Sequence, residues 1–265
     1  MIDVQRYPAN VPIPVDKVGI RGLSVPLLVR DYGEGQEKAQ QTVATAELSV
    51  QLPAKYKGTH MSRFVEVFQA WAEHSAVTDY SAVRKLLQTL CARLEAEQAQ
   101  VILRFPFFAQ KRAPATGRTS MLPVPCVITG SLKNMPDGTQ QMEMRLGVAV
   151  PVMTVCPCSK AISNEGAHAQ RAEVRMEVIQ KGFVDIADLI DIAEQAGSSP
   201  VYSLLKRKDE KLVTERSFAK PMFVEDVVRA AAEKLAQLPA VAHYSVEVES
   251  MESIHAHNAF AYIEG

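Results

Sequence analysis

Cysteine is scarce: Cys91, Cys126, Cys156 and Cys158 are the four thiols among 265 residues. That is too few for a disulfide framework in a chain this long, so the expected compartment is a reducing one. No apolar run approaches the ~20 residues of a membrane span. Met1 to Val18 also lacks the apolar stretch, basic flank and small-residue cleavage site of an export signal. A cytoplasmic protein without a membrane partner is expected. Net charge is nearly absent as well. At −1 the chain has no overall basic field of the kind that duplex nucleic-acid binders use, although a small anion needs only a local basic cluster. Also missing are the Walker A pattern and the Gly-x-Gly-x-x-Gly loop, so any phosphate must be held by side chains. What remains is an ordinary soluble balance, 47% hydrophobic and 22% charged, with enough apolar mass for a sizeable core.

The first 40 residues carry Pro8, Pro12, Pro14 and Pro26 and a Gly33–Gly35 turn. They read as an irregular arm with a short strand at 23–30. From Thr42 to Leu52, Ala44, Ala46, Leu48 and Val50 alternate with Val43, Thr45, Glu47 and Ser49, the period of a strand. Strand or turn character is expected over 62–71. Val83, Leu86, Leu87, Leu90 and Leu94 then recur at helical spacing behind a capping Asp79. Strands follow at 100–108 and 121–132, the second broken by Pro123 and Pro125. A second pass finds strands at 142–152 and 173–179, helices at 186–196 and 224–238, and strands at 244–249 and 259–263. The order repeats, which suggests a duplication: a first module over 41–138 and a second over 139–265. Two strands, helices and two strands, twice, describe an α+β architecture of antiparallel sheet with helices on one face. Open sheet edges in such modules favour a homo-oligomer.

The most informative segment is "TVCPCSKAISNEGAHAQ", Thr154 to Gln170. Pro157 stands where a long strand should end, so a thiol of Cys156 or Cys158 is expected to project from a loop. His168 follows behind Gly166, which permits a tight backbone return. A cysteine and a histidine from one loop can be two metal ligands or the thiolate and base of a nucleophilic pair. The bland alternative makes both cysteines small buried hydrophobes. A second cluster, "ESMESIHAHNAFAYIE", places His255 and His257 two apart with Glu252 just before them, so on an extended segment the two imidazoles share a face. The charged block Lys206 to Lys211 reads as a solvated loop, in which Glu210 matters only if it joins the cysteine and histidines around a cation. Glu225 falls in the first turn of a helix, where the helix dipole favours acids whatever their function. Candidate phosphate groups are Lys55, Lys57, His60 and Arg63, then Lys111, Arg112 and Arg118, then Lys206 and Arg207.

Taken together, "CPCSKAIS", "GAH", "KGTHMSRF", "FPFF", "LLKRKDEK", "FVEDVVR" and "ESIHAHNAFAYI" resemble the type IB GTP cyclohydrolases over almost the whole chain. The resemblance implies the tunnelling fold (T-fold) with two tandem modules and a homotetramer. It also implies hydrolysis of GTP at C8 to 7,8-dihydroneopterin triphosphate and formate, at the head of folate or modified-nucleoside synthesis. Carried over by motif, Cys156, His168, Glu210 and His255 are the expected ligands of a divalent metal, and Zn²⁺, Mn²⁺ and Fe²⁺ all suit that donor set. Glu225 is expected to anchor the guanine edge. Cys156, His168, Glu252 and His257 are expected at the reacting centre, with Cys158, His60, Arg63 and Lys111 around the substrate. Two rival readings are a nitrile reductase of the same fold with a cysteine nucleophile and NADPH, and a non-catalytic purine or pterin binder. A mixed Cys, His and Glu set favours an open, catalytic metal site over a structural one.

Overall fold

The computed structural model describes residues 3–31, 38–74 and 77–265, and the Gly33–Gly35 turn lies outside them. Strands pair in the order β1 (Val15–Asp31), β2 (Lys38–Leu52), β3 (Gln98–Arg112), β4 (Thr119–Asn134), β5 (Gln140–Val155), β6 (Ala169–Gln180), β8 (Val241–Ser250) and β9 (Ala259–Glu264), with the short β7 (Ser199–Pro200) beside β5. The pairings β2–β3, β5–β7, β6–β8 and β8–β9 are antiparallel. Six α-helices occur among the described residues: α1 (Met61–His74), α2 (Tyr80–Leu94), α3 (Pro157–Ile162), α4 (Ile186–Ala196), α5 (Arg207–Ala219) and α6 (Val224–Ala236). The architecture is α+β, as expected.

Two compact units divide the chain, and neither is contiguous. One comprises 1–30, 38–106 and 127–145; the other comprises 31–37, 107–126 and 146–265. The long strands β3, β4 and β5 each contribute to both, whereas the boundary read from sequence, 138/139, falls in the turn that joins β4 to β5.

In the first unit, β2 buries Ala44, Ala46, Leu48 and Val50 on one face, and pairs with β3 in the register Leu48↔Val101. Asp79 caps α2 by accepting the Ala82 N–H at 2.8 Å, and the helix buries Val83, Leu86, Leu87, Leu90 and Cys91. The segment expected as strand or turn, 62–71, is the helix α1. Phe64, Val67, Phe68 and Trp71, all buried, stand at the i, i+3, i+4, i+7 spacing of a helix. Trp71 donates its indole N–H to the Ala82 carbonyl at 2.9 Å and so ties α1 to α2. The N-terminal segment is also more regular than expected, because β1 runs for 17 residues. Nor, in the part of β4 that belongs to the second unit, do Pro123 and Pro125 break the strand: their spacing of two puts both missing N–H groups on one side, while Leu122, Val124 and Cys126 face inward.

In the second unit, β6 and β8 pair with Val174 opposite Val248 and Met176 opposite Val246, all buried. α6 packs on β8, β9 and α4 through Val227, Val228, Ala231 and Leu235. The charged block expected as loop, Lys206 to Lys211, opens α5 instead. Its organiser is Asp209, which accepts from the Lys206, Ala115 and Thr116 N–H groups and from the Thr116 hydroxyl at 2.8–2.9 Å. Burial alone pushes the Asp209 carboxyl up, but these hydrogen bonds outweigh it and hold the group at about 2.

Candidate active site

β5 ends at Val155, and Cys156 becomes the N-cap of α3, its sulfur accepting the Ser159 N–H at 3.4 Å. Pro157 occupies the first helical turn, where a missing N–H costs nothing. The chain then returns through Gly166, whose φ of 81° is natural only for glycine. This loop is closed on itself: Cys156 N–H donates to the His168 carbonyl at 3.1 Å, His168 N–H donates to Ser159 Oγ at 3.2 Å, and that hydroxyl donates to the Cys156 carbonyl at 3.2 Å. Cys156 and His168 are therefore set by backbone geometry, not by a flexible loop. Cys158 is exposed, whereas Cys91 and Cys126 are buried in the core, where burial raises their thiols to about 11 and about 12.

From His168 a polar network crosses the ends of β5, β6 and β8. His168 Nδ1 lies 2.9 Å from Gln170 Oε1. Gln170 Nε2 donates to Thr154 Oγ1 at 3.3 Å and to Glu252 Oε1 at 3.4 Å. Ser250 donates to the same carboxylate at 2.9 Å and meets Thr154 at 3.3 Å. Glu252 Oε2 stands 3.9 Å from His168 Nδ1, and both side chains are only 13% exposed. The strands impose this meeting, because β6 and β8 pair with Ala172 opposite Ser250 and Met251 N–H donates to the Arg171 carbonyl at 2.9 Å. Between β8 and β9, the exposed His255 ring sits edge-on to His168 at 6.4 Å between centroids, and His257 stacks on His255 at 5.2 Å. Cys156, His168, Glu252, His255 and His257 thus gather at one end of the second unit's sheet.

Other expected residues stand elsewhere. Glu210 lies exposed in the first turn of α5, and no hydrogen bond or ion pair among the described residues joins it to this group. Lys111, expected to face a phosphate, instead forms a buried ion pair with Glu194 and sits over the Tyr202 ring. Burial of Glu194 favours that pairing, since an isolated carboxylate there would be costly. His60 contacts Asp3 at 3.2 Å and Arg63 donates to the Arg93 carbonyl at 3.2 Å, both within the first unit. Glu225 is exposed at the start of α6 and does not cap it; Asp226 does, accepting the Phe223 N–H at 3.0 Å. That helix start is tied to the C-terminal end of β5 by Met222 N–H donating to the Val155 carbonyl at 3.0 Å, and Lys160 of α3 reaches the Phe218 carbonyl at 2.5 Å. Among the described residues no three His, Cys, Asp or Glu side chains are gathered closely enough to hold a metal ion. The fit to a borderline divalent cation is one of donor type, a thiol with imidazoles and carboxylates.

Sequence reasoning missed Thr154, Ser159, Gln170 and Ser250. A signal for three of them exists: each lies two residues from a chemical residue (Thr154/Cys156, His168/Gln170, Ser250/Glu252), the period that puts both on one face of a strand.

A family model of the type I GTP cyclohydrolase FolE2 matches residues 1–261. The chain is 54% identical to a GTP cyclohydrolase FolE2 of Nitratidesulfovibrio vulgaris, the match covering 100% of this chain and 98% of that one. It is 44% identical to a GTP cyclohydrolase FolE2 of Geobacter sulfurreducens, covering 100% and 98%. Among solved structures, a uricase from Bacillus fastidious superposes with a TM-score of 0.61 at 9% identity, covering 95% of this chain and 92% of that one. A Bacillus sp. TB-90 urate oxidase gives 0.59 at 11%, covering 95% and 99%. At such low identity the uricases share the fold alone. Matched from end to end by the family model and by close relatives, the chain belongs to the type I GTP cyclohydrolase FolE2 family.

Proposed function

We propose that the protein hydrolyses GTP at C8 of the purine: two waters break the two C8–N bonds and C8 leaves as formate, after which the opened ribose rearranges and condenses with the freed amine, losing one water, to give 7,8-dihydroneopterin triphosphate. The observation that carries this reading is the convergence of Cys156, His168, Glu252, His255 and His257 at one sheet end, in a chain of this family. Cys156 and His168 are the residues that would hold a divalent metal, with Glu210 and His255 as further donors; its identity among Zn²⁺, Mn²⁺ and Fe²⁺ is open to all three on ligand type. Such an ion, when bound, lowers the pKa of water from 15.7 towards ~7 and makes hydroxide available at neutral pH.

The chain's own groups do the rest. Glu252, held by Ser250 and Gln170, accepts and returns protons near His168. His257, stacked on His255 and open to solvent, exchanges protons with the purine nitrogen as the ring opens. Glu225, released from capping by Asp226, accepts from the guanine edge. Cys158 lies beside the substrate. Lys111, neutralised by Glu194, is left out of this assignment. The finer architecture we propose is the T-fold in two tandem modules, supported by the recurrence of two strands, helices and two strands along the chain. A homotetramer in the cytoplasm completes the proposal.

The test is incubation with GTP and each metal. One formate per GTP and a pterin that fluoresces after oxidation are expected, and Cys156→Ala is expected to abolish both. GTP left intact under every metal overturns the proposal.

A further inference from the structure

The hydrogen bonds around Glu252 run in one direction. Ser250 Oγ–H donates to Glu252 Oε1 at 2.9 Å. With its proton committed there, Ser250 can only accept from Thr154, 3.3 Å away. Thr154 Oγ1 accepts from Gln170 Nε2 at 3.3 Å. The second Nε2 proton goes to Glu252 Oε1 at 3.4 Å. An amide flip would aim Gln170 Oε1 at the Glu252 carboxylate and replace a hydrogen bond with repulsion between two acceptors, whereas the Thr154 hydroxyl can serve either orientation, so the carboxylate sets the amide. Gln170 Oε1 is then an acceptor, used by the Ser253 hydroxyl at 3.4 Å and facing His168 Nδ1 at 2.9 Å. Only a protonated Nδ1 makes that last contact a hydrogen bond. The Glu252 Oε2 atom, 3.9 Å from the same nitrogen, adds a Coulombic preference for the proton there.

We infer that Gln170 is a positioning residue that relays the charge of Glu252 into the tautomer of His168, fixing Nδ1–H and leaving the Nε2 lone pair as the ring's only donor site. Groups that orient a ligating histidine in this way commonly act through its other ring nitrogen. In catalytic terms the inference rests on the function proposed above, since Nε2 is then the atom offered to the cation. The tautomer itself does not depend on that function, and the two can fail separately.

The test is a long-range ¹H–¹⁵N correlation spectrum of protein labelled with ¹⁵N-histidine, in metal-free and Zn²⁺-loaded forms, with His168 assigned from the spectrum of His168→Gln. Neutral His168 is expected as Nδ1–H in both forms of the wild type. Gln170→Leu removes the acceptor and is expected to shift metal-free His168 towards Nε2–H; it is also expected to weaken Zn²⁺ affinity, read against a chelating dye, by about 10–100-fold. Gln170→Glu keeps an acceptor and is expected to keep Nδ1–H. An Nε2–H signal in the wild type overturns the inference without any variant. So does an Nδ1–H signal that survives in Gln170→Leu, or a Zn²⁺ affinity that the substitution leaves unchanged. A protein that shows the expected tautomers but leaves GTP intact sinks the proposed function and spares the inference.

Discussion

Individual side chains in this protein carry charge under two different regimes. Asp209 is wrapped by N–H donors from two segments, and its carboxyl sits at about 2 against an ordinary 3.8. Because the folded value is depressed, the unfolded chain binds the extra proton first. The stability Asp209 supplies is therefore complete above about pH 4 and disappears as pH falls through about 2. Asp209→Asn is expected to lower the urea midpoint at pH 7 and to lose midpoint less steeply than wild type between pH 4 and pH 2. Parallel acid curves for the two proteins would show that the carboxylate is not the group responsible. Glu225 is the opposite case, an acid in a helix's first turn that the helix does not need, because Asp226 takes the Phe223 N–H. Glu225→Ala is expected to raise the KM for GTP with little change in thermal stability. A lower melting temperature with an unchanged KM would return Glu225 to a helix-dipole role.

At the scale of elements, close approach matters more than propensity. Gly130 in β4 lies under α2, where an added Cβ would come within 2.5 Å of Val83 Cγ1 and 3.2 Å of Leu87 Cδ1. Gly130→Ala is expected to destabilise the protein by about 1–3 kcal/mol, the usual cost of overpacking; an unchanged chemical-denaturation midpoint would show that α2 can shift freely. β2 to β6, β8 and β9, with α2, α4 and α6, were legible in the sequence because their apolar periods are clean, whereas β1 was read only over 23–30 and the two-residue β7 not at all. α1 was not, although Phe64, Val67, Phe68 and Trp71 carry a helical period; the basic and polar residues before it masked its start. α5 was hidden for another reason. It is polar almost all round, and its start depends on Asp209 meeting Ala115 and Thr116, more than 90 positions away in sequence. Local sequence cannot announce a partner that distant. The loop at Cys156 and the strand ends beside it divide in the same way. Cys156, His168, Glu252, His255 and His257 were legible as residue types, while Gln170, Thr154 and Ser250 became visible only when β5, β6 and β8 were aligned.

At the scale of the molecule, the sequence predicts an oligomer, and β9 is the edge at which that expectation can be probed. Phe260 and Tyr262 project from it at 73% and 53% exposure, at the end of the strand order. Light scattering is expected to give a mass near four chains, and a monomer at micromolar concentration would remove the tetramer. Chelation is expected to abolish GTP turnover while leaving the circular dichroism spectrum unchanged, because the loop at Cys156 is held by its own hydrogen bonds, Cys156 N–H to the His168 carbonyl and His168 N–H to Ser159 Oγ. Unfolding on chelation would instead make the metal structural.

The division of the thiols between core and surface has a practical consequence. Cys91 and Cys126 are shielded and hard to ionise, whereas Cys158 is open to solvent two positions from Cys156. A maleimide dye added to the native enzyme is expected to couple at Cys158 first, which tryptic mass mapping can read directly. A change in the emission of that fluorophore on addition of GTP would test whether nucleotide arrives beside Cys156.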